Sequence, residues 1–433
     1  MKKKSSLLLF AFLFILLSCE SQSDKSELKL DFSKIIPDKD QAEGINYDTL
    51  AVLSSTPETA LLDSMAKDFI RQWEIKGMSI AVSYYGKLVY AKGFGWADEE
   101  RKIPVKPHHL FRIASASKLV TAVGIMHLIE QGKFTLDSKV FGENGILKRY
   151  NAWIADKTMY GITIRHLLTH TAGWWNYLLT DPMFVPVQIA QIMQTPSPPP
   201  FDSVMRFMLS QKKVFTPGSF YDYSNFGYCV LGKVIEEVSG KDYETFMREN
   251  ILAPMGIRRM RIGKSRYEER FSNEVKYYVA DNTPQNLSIY PPHDSASRAY
   301  EGTYIQGLGA AGGWIASSVD MLRFLSYIDN WDTPKDFLSK ESINEMTLQD
   351  ADSTQIQRAL GWKRISPEKW WRTGNLASSN ISLSRRNDGY AWVVITNTGS
   401  WRASFFPYEI EGFMTRALQK VKFKEQDLFK YTK

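Results

Sequence analysis

Strand-forming sequence is confined to the two ends of this chain, and that separation narrows the folds open to it. Near the start, Ile80, Val82 and Tyr84 alternate along MSIAVSYY, Gly86-Lys87 can turn, and Leu88 to Ala91 returns, the pattern of a β-hairpin. Near the end, KWWRT, NISLSRR and YAWVVITN read as strands, followed by a helix around 408–421. From about 140 to 300 the chain is helical and loop-rich, with a PSPPP break at 196–200 and helices near 202–210 and 226–239. The fold class expected is α/β of the α+β type: one antiparallel β-sheet flanked by helices, its outer strands drawn from both ends, with an inserted all-helical subdomain at about 140–300.

The chain opens MKKKSSLLLFAFLFILLSC, a basic start followed by an apolar run from Leu7 to Leu17. Such a run is too short to span a bilayer, where about 20 residues are needed, and fits the core of a signal peptide covering 1–18. It ends in Leu16-Leu17-Ser18-Cys19, which resembles the lipobox of bacterial lipoproteins, and that resemblance implies diacylation at Cys19. Two acyl chains suffice for stable attachment, so the expectation is an exported protein, lipid-anchored to a bacterial membrane on its periplasmic or cell-surface side. The stretch 19–55 is polar and irregular and reads as a flexible tether with a reach of roughly 30 to 35 Å. A folded body at 56–425 then opens at Thr56-Pro57, an N-cap followed by proline.

With 44% hydrophobic and 23% charged residues, the 433-residue chain can bury a sizeable core. The net charge of +7 falls to +4 without the three leader lysines, and no Arg/Lys stripe interleaved with aromatics appears, so nucleic acid is not an expected partner. Apart from Cys19 the only cysteine is Cys229, in an apolar stretch that suits a buried structural thiol.

Ser-x-x-Lys occurs five times, at Ser26, Ser64, Ser115, Ser210 and Ser366, so context must choose among them. Only Ser115 stands at the start of an apolar helix, after the strand-like FRIA and ahead of SASKLVTAVGIMHLIEQG. There Ser115 and Lys118 share one helical face, and the helix N-terminus favours negative charge on a developing oxyanion. A serine hydroxyl needs a base to take its proton, and a lysine whose pKa is depressed by burial can serve. Tyr223-Ser224-Asn225 is the one Tyr-x-Asn in the chain: the phenol can share a proton with Lys118, and the amide can bond both the lysine and a substrate. Arg372-Thr373-Gly374 lies on the aromatic strand WWRTG, where a strand edge can bind an extended substrate and glycine permits close approach.

In this order and spacing the three segments resemble the S-x-x-K, Y-x-N and K-T-G signatures of the penicillin-recognising serine hydrolases, in particular the branch related to class C β-lactamases, which includes D-alanyl-D-alanine peptidases and esterases. ITIRHLLTHTAGW, PGSFYDYSNFGY, LAPMGI and AAGGWIASSVDMLRF reinforce the resemblance, which covers about 60–420. It implies a β-lactamase/transpeptidase-like fold and a serine acyl-hydrolase in which Ser115 is acylated, Lys118 and Tyr223 handle protons, and Asn225 orients substrate and lysine. The backbone N–H groups of Ser115 and Asn375 would form the oxyanion hole, with no cofactor and no metal. The substrate would be a β-lactam, a D-amino-acid peptide or an ester. The alternative is a catalytically silent penicillin-binding receptor or scaffold. One departure stands out: arginine occupies position 372, where the family has lysine or histidine, and a guanidinium cannot give up its proton. Its expected task is a bidentate contact with a substrate carboxylate.

Two other features are weaker guides. His166 and His170 lie four apart on an expected helix, but Leu167 stands where a zinc peptidase needs glutamate. Trp174, Trp175, Trp370 and Trp371 could line a groove, although such aromatics more often fill a core.

Overall fold

The computed structural model describes residues 47–174, 180–212, 215–348 and 359–432. The leader, Cys19, the tether up to residue 46 and Trp175 lie outside the described residues. The described chain begins with α1 (Tyr47–Leu53) and α2 (Ala60–Gln72), then the hairpin β1 (Gly77–Tyr84) and β2 (Lys87–Asp98), edged by β3 (Ile103–Pro104). β4 (Phe111–Arg112) leads through a 3-10 turn into α3 (Ser117–Glu130). The middle holds α4 (Ile164–Leu168), α5 (Pro186–Met193), α6 (Phe201–Leu209), α7 (Asn225–Ser239) and α8 (Tyr243–Phe246), then the short strands β5 (Arg261–Ile262), β6 (Asn286–Leu287) and β7 (Ser295–Ala296). α9 (Ile305–Gly312), β8 (Trp314–Ala316), α10 (Ser318–Ser326) and α11 (Lys340–Met346) bring the chain back. β9 (Arg364–Ser366), β10 (Lys369–Leu376), β11 (Ser379–Arg386), β12 (Tyr390–Thr396) and α12 (Phe406–Leu418) complete it.

The main sheet runs β3-β2-β1-β12-β11-β10-β9 and is antiparallel throughout. Each end of the chain supplies one half, and the seam is the register of β1 on β12, from Met78 opposite Thr396 to Tyr84 opposite Tyr390. Alternation along β1 sorts its two faces. Met78, Ile80 and Val82 join Trp392 and Val394 in a core closed by Phe69 of α2 and by Phe406, Ile410 and Phe413 of α12. Ala81 faces the other core, which α3 crosses with every residue from Ser117 to Met126 buried. A helix apolar on all sides belongs inside, so α3 is a fixed post for whatever stands at its N-terminus.

Two expected boundaries need correction. The body starts before residue 56: α1 buries Leu50 completely, and the Ser54 hydroxyl just after it accepts a hydrogen bond from Ala91 N of β2. A seven-residue helix is too short to show a helical period. The body also runs past 425, with Leu428 and Phe429 buried and the Phe429 carbonyl accepting from Arg323 of α10. The segment 140–300 is not all-helical either: β5 pairs with β8 in a small sheet with β4, and β6 pairs with β7.

These contacts predict that Leu50→Ala lowers stability by about 2–5 kcal/mol, as for other fully buried leucines. Val52→Ala, at a position 70% exposed, should stay within about 0.5 kcal/mol. Urea unfolding of both variants checks this, and equal midpoints would restore the view that 47–55 is mere tether.

Candidate active site

The turn that carries Ser115 is made by local backbone. Ala114 adopts φ +45, a left-handed conformation that costs a non-glycine residue on the order of 1 kcal/mol and turns the chain sharply between β4 and α3. Ser115 therefore projects from the 3-10 turn Ala114–Ala116, one step before the buried helix.

β10 holds this turn in place. β9 pairs only with Lys369 to Trp371, and among the described residues no strand covers the outer edge of β10 beyond them. That edge meets the turn so closely that a Cβ at Gly374 would lie 2.4 Å from Ile113 O and 2.9 Å from Ser115 N. Only glycine lets the strand in. Two residues earlier, Arg372 donates from Nε (2.9 Å) and Nη2 (2.6 Å) to the Ser115 carbonyl oxygen, and Nη2 also reaches the Tyr223 hydroxyl at 3.3 Å.

Lys118 is fully buried beneath Ser115. Its Nζ donates to Asn225 Oδ1 (2.6 Å), to the Ala311 carbonyl (2.7 Å) and, more distantly, to Ser115 Oγ (3.4 Å). Burial pulls its pKa below the usual lysine value, and Arg372 adds to the effect while Tyr223 opposes it. Tyr223 Oη lies 2.9 Å from Ser115 Oγ. Burial pushes the phenol up, but the cations of Lys118 and Arg372 outweigh it and bring its pKa down to about 8. The closest titratable neighbour of the serine is thus a phenol held between two positive charges.

Supporting groups come from segments with no motif. The Ser224 hydroxyl caps α7 by accepting from Gly227 N, so Asn225 begins the helix with its backbone N–H given to Asp181 Oδ2 at 2.6 Å. Asp181 is buried, and burial raises its pKa against the pull of its backbone N–H donors and Lys118. The His170 ring lies 4.3 Å from that of Tyr223, and its Nδ1 accepts from Ser224 N. Burial, then Lys118 and Arg372, hold His170 well below its ordinary pKa, so it is a neutral spacer.

Around these residues lies a cleft of about 710 Å³ lined by Ser115, Tyr223, Asn225, Arg372, Thr373, Gly374 and Asn375, so the sequence-derived set converges on one place. The Asn375 side chain donates from Nδ2 to Asn380 Oδ1 at 2.6 Å and to Ala403 O at 3.1 Å. Ser64, Ser210 and Ser366 do not line it, and Ser26 lies outside the described residues.

Arg372 departs from its expected task. It is 3% exposed and spends two N–H groups on the Ser115 carbonyl, so it braces the Ser115 turn and the Tyr223 phenol rather than offering a free fork to a carboxylate. The two histidines do not share a helical face either. α4 ends at Leu168, His166 Nδ1 accepts from Thr163 N in a capping box, and His170 lies beyond it at φ +59. Trp174 and Trp371 are buried, the latter on the cleft wall, and Trp370 is partly buried. Cys229 is buried with its thiol pushed up to about 12, which suits an inert packing role. Sequence reasoning missed Asp181 and the Ala311 carbonyl because each acts through a contact made only in the fold. His170 was visible in HLLTHTAGW, but its place against Tyr223 was not.

Residues 62–407 match the Beta-lactamase family. Penicillin-binding protein 4* of Bacillus subtilis is 30% identical over 295 residues, covering 66% of this chain but 59% of that protein. Esterase EstB of Burkholderia gladioli is 30% identical over 290 residues, 64% of this chain and 71% of its own length. Among solved structures, D-amino acid amidase from Ochrobactrum anthropi, complexed with D-phenylalanine, superposes with a TM-score of 0.65 at 22% identity, covering 84% of this chain and 99% of the amidase. An octameric penicillin-binding protein homologue from Pyrococcus abyssi gives 0.62 at 24% identity, covering 83% and 77%. At these identities the structural likenesses speak to the fold alone, the β-lactamase/transpeptidase type. By the match across 62–407, with Ser115 to Lys118 and Tyr223 to Asn225 meeting in one cleft, the chain belongs to the Beta-lactamase family.

Proposed function

We propose that this protein is a serine acyl-hydrolase working through a covalent acyl-enzyme on Ser115. The observation that carries the reading is the placement of Ser115 Oγ 2.9 Å from a phenol with a pKa of about 8 and above a buried lysine. In the ionised form Tyr223 accepts the proton of Ser115 as Oγ attacks the acyl carbon. Lys118 keeps its own proton, because Asn225 Oδ1 and the Ala311 carbonyl both accept from it, and it stabilises the phenolate. The carbonyl oxygen gains negative charge beside the N–H groups of Ser115 and Asn375, where the glycine at 374 brings the strand near. Tyr223 then protonates the leaving group; a water next attacks the acyl carbon as it loses a proton to the same phenolate, and the phenol passes that proton to the departing Ser115 Oγ, releasing the acid and restoring the phenolate. The names of the relatives, penicillin binding, ester hydrolysis and D-amino-acid amide hydrolysis, support acyl compounds of these three kinds as substrates.

A fluorophosphonate or fluorescent penicillin should label the purified protein at Ser115, and Ser115→Ala should abolish the adduct. Labelling at Ser64, Ser210 or Ser366 refutes the assignment. No labelling at all returns the protein to the role of a silent receptor.

Because the base acts as the phenolate, the acylation rate should rise about tenfold per pH unit below 8 and flatten above it. Tyr223→Phe should lose about 10²- to 10⁴-fold and the limb itself. Arg372→Ala should shift the limb to higher pH by removing one of the two cations, and should slow neutral and carboxylate-bearing substrates alike. Arg372→Lys should recover part of the rate. Stopped-flow acylation between pH 6 and 10 reads all four proteins, and an unmoved limb in Arg372→Ala contradicts the bracing role.

We further propose that Cys19 carries a lipid anchor on the exported protein, a reading supported by Leu16-Leu17-Ser18-Cys19 after the apolar run. Mass spectrometry of membrane-extracted protein should find a diacylated Cys19 at the N-terminus. Cys19→Ala should fractionate as soluble, and an unmodified cysteine in the membrane fraction contradicts the anchor.

A further inference from the structure

Behind one wall of the cleft lies a second cavity, of about 340 Å³, that no motif marks. Ligand sites run from roughly 300 to 1,000 Å³, so it is large enough for a small molecule. Three segments stand between the two spaces, and each turns some residues to one side and some to the other. Asp181 and Phe184 line the cleft, while Pro182 and Met183 line the cavity. On α7, Asn225 faces the cleft and Cys229 the cavity; on α9, Leu308 faces the cleft and Ala310 the cavity. Among the described residues none lines both, so the wall is one element thick. That wall carries the acceptors of Lys118, Asn225 Oδ1 on α7 and Ala311 O on α9. Ala310 O accepts from Thr121 Oγ1 of α3 at 2.6 Å, and Tyr243, which lines the cavity, places its hydroxyl 2.7 Å from the same threonine oxygen. Just before Ala310 the helix is broken at Gly309, with φ +32 and ψ −112, and a Cβ there would meet no atom within 4 Å. The break opens onto the cavity, so the part of α9 that serves Lys118 lacks packing on its far side.

We infer that this cavity is an effector site for an uncharged aromatic molecule, and that its occupant speeds acylation of Ser115 by holding Ala310 and Ala311 against α3. The binding half stands on the cavity alone; the kinetic half rests on the acyl-hydrolase reading above. The lining selects the ligand. Phe201, Tyr304 and the Met183 thioether offer ring edges and a polarisable sulfur, which suit an aromatic ring. The charged lining residues satisfy one another. Lys233 Nζ lies 2.6 Å from Glu236 Oε2, Asp242 caps α8 by accepting from Thr245 N, and Glu244 accepts from Ile262 N within the field of Lys264. A charged occupant would give up its water without gaining a free counter-charge. Position supplies the coupling. A ring seated beside the break at Gly309 packs on Ala310, and the next carbonyl, Ala311 O, is the one that takes Lys118. A ligand that fits only this arrangement of α9 raises its population, and with it the fraction of molecules whose Lys118 is fully bonded and ready to support the Tyr223 phenolate.

Methionine-methyl NMR locates the binding, because Met183 lines the cavity and, among the described residues, no methionine lines the cleft. The spectrum of Met183→Leu assigns the signal. 3-Methylindole should move the Met183 methyl saturably, and should bind about 10-fold more tightly than tryptamine or indole-3-acetate, which carry a charge on the same ring. In stopped-flow, saturating 3-methylindole should raise the rate at which p-nitrophenyl butyrate acylates the wild type about fivefold or more. Val204→Phe, which sets a ring into the cavity from α6, should remove both the shift and the response. An unmoved Met183 methyl, tighter binding of either charged analogue, acylation unchanged or slowed at saturation, or a response that persists in folded Val204→Phe overturns the inference. If Val204→Phe does not fold, the wild-type titration and rates still decide it. Failure of the hydrolase reading shows up separately, as absence of any acyl adduct on wild-type Ser115, while the Met183 titration still decides the cavity.

Discussion

A buried ammonium organises this molecule. Lys118 has no access to water, so its charge must be met by protein oxygens or expelled, and an unpaired charge in such a place costs several kcal/mol. The acceptors come from α7 (Asn225) and α9 (Ala311), and Ser115 stands a turn before Lys118. Meeting that one charge joins the inserted segment to the buried post of α3. The packing that satisfies it also sets Tyr223 over Ser115. Stability and chemistry thus share a single electrostatic problem, solved with a neutral amide, a carbonyl and a phenol rather than a carboxylate ion pair.

Among the described residues no carboxylate sits directly on Lys118, and this has a chemical effect. A direct ion pair would offset the lysine's charge and leave burial freer to push the phenol pKa upward. Dipolar acceptors leave net positive charge in the site, and Arg372 increases it. Asp181 is near enough to be felt but gives its oxygens to the backbone N–H groups of Asn225 and Met183. It anchors the helix start without neutralising the lysine.

How much of this was legible follows from the range of each signal. The hairpin, the C-terminal strands and α3, α6, α7 and α12 follow from local periodicity and appear within a few residues of the positions read from sequence. Ser115, Lys118, Tyr223 and Asn225 were legible because their spacing matches a known pattern, although nothing local distinguishes Tyr223 from an ordinary turn aromatic. α1 escaped notice because seven residues carry too little pattern. Arg372 was misjudged because its partner, the Ser115 carbonyl, is 257 residues away along the chain.

The seam of β1 on β12 carries one more consequence. Lys76 N bonds Thr398 Oγ1 across 322 residues, and the strand that steadies the Ser115 turn begins only at Lys369. A ribosome therefore makes the serine and its helix long before their brace exists. Contacts this distant in sequence form late and slowly. A chain that stops short of its last quarter has Ser115 but no strand to pin its turn and no arginine to lower the phenol. The geometry around Ser115 is thus a property of the whole polypeptide, set only when the last-made strand reaches the turn that was made long before it.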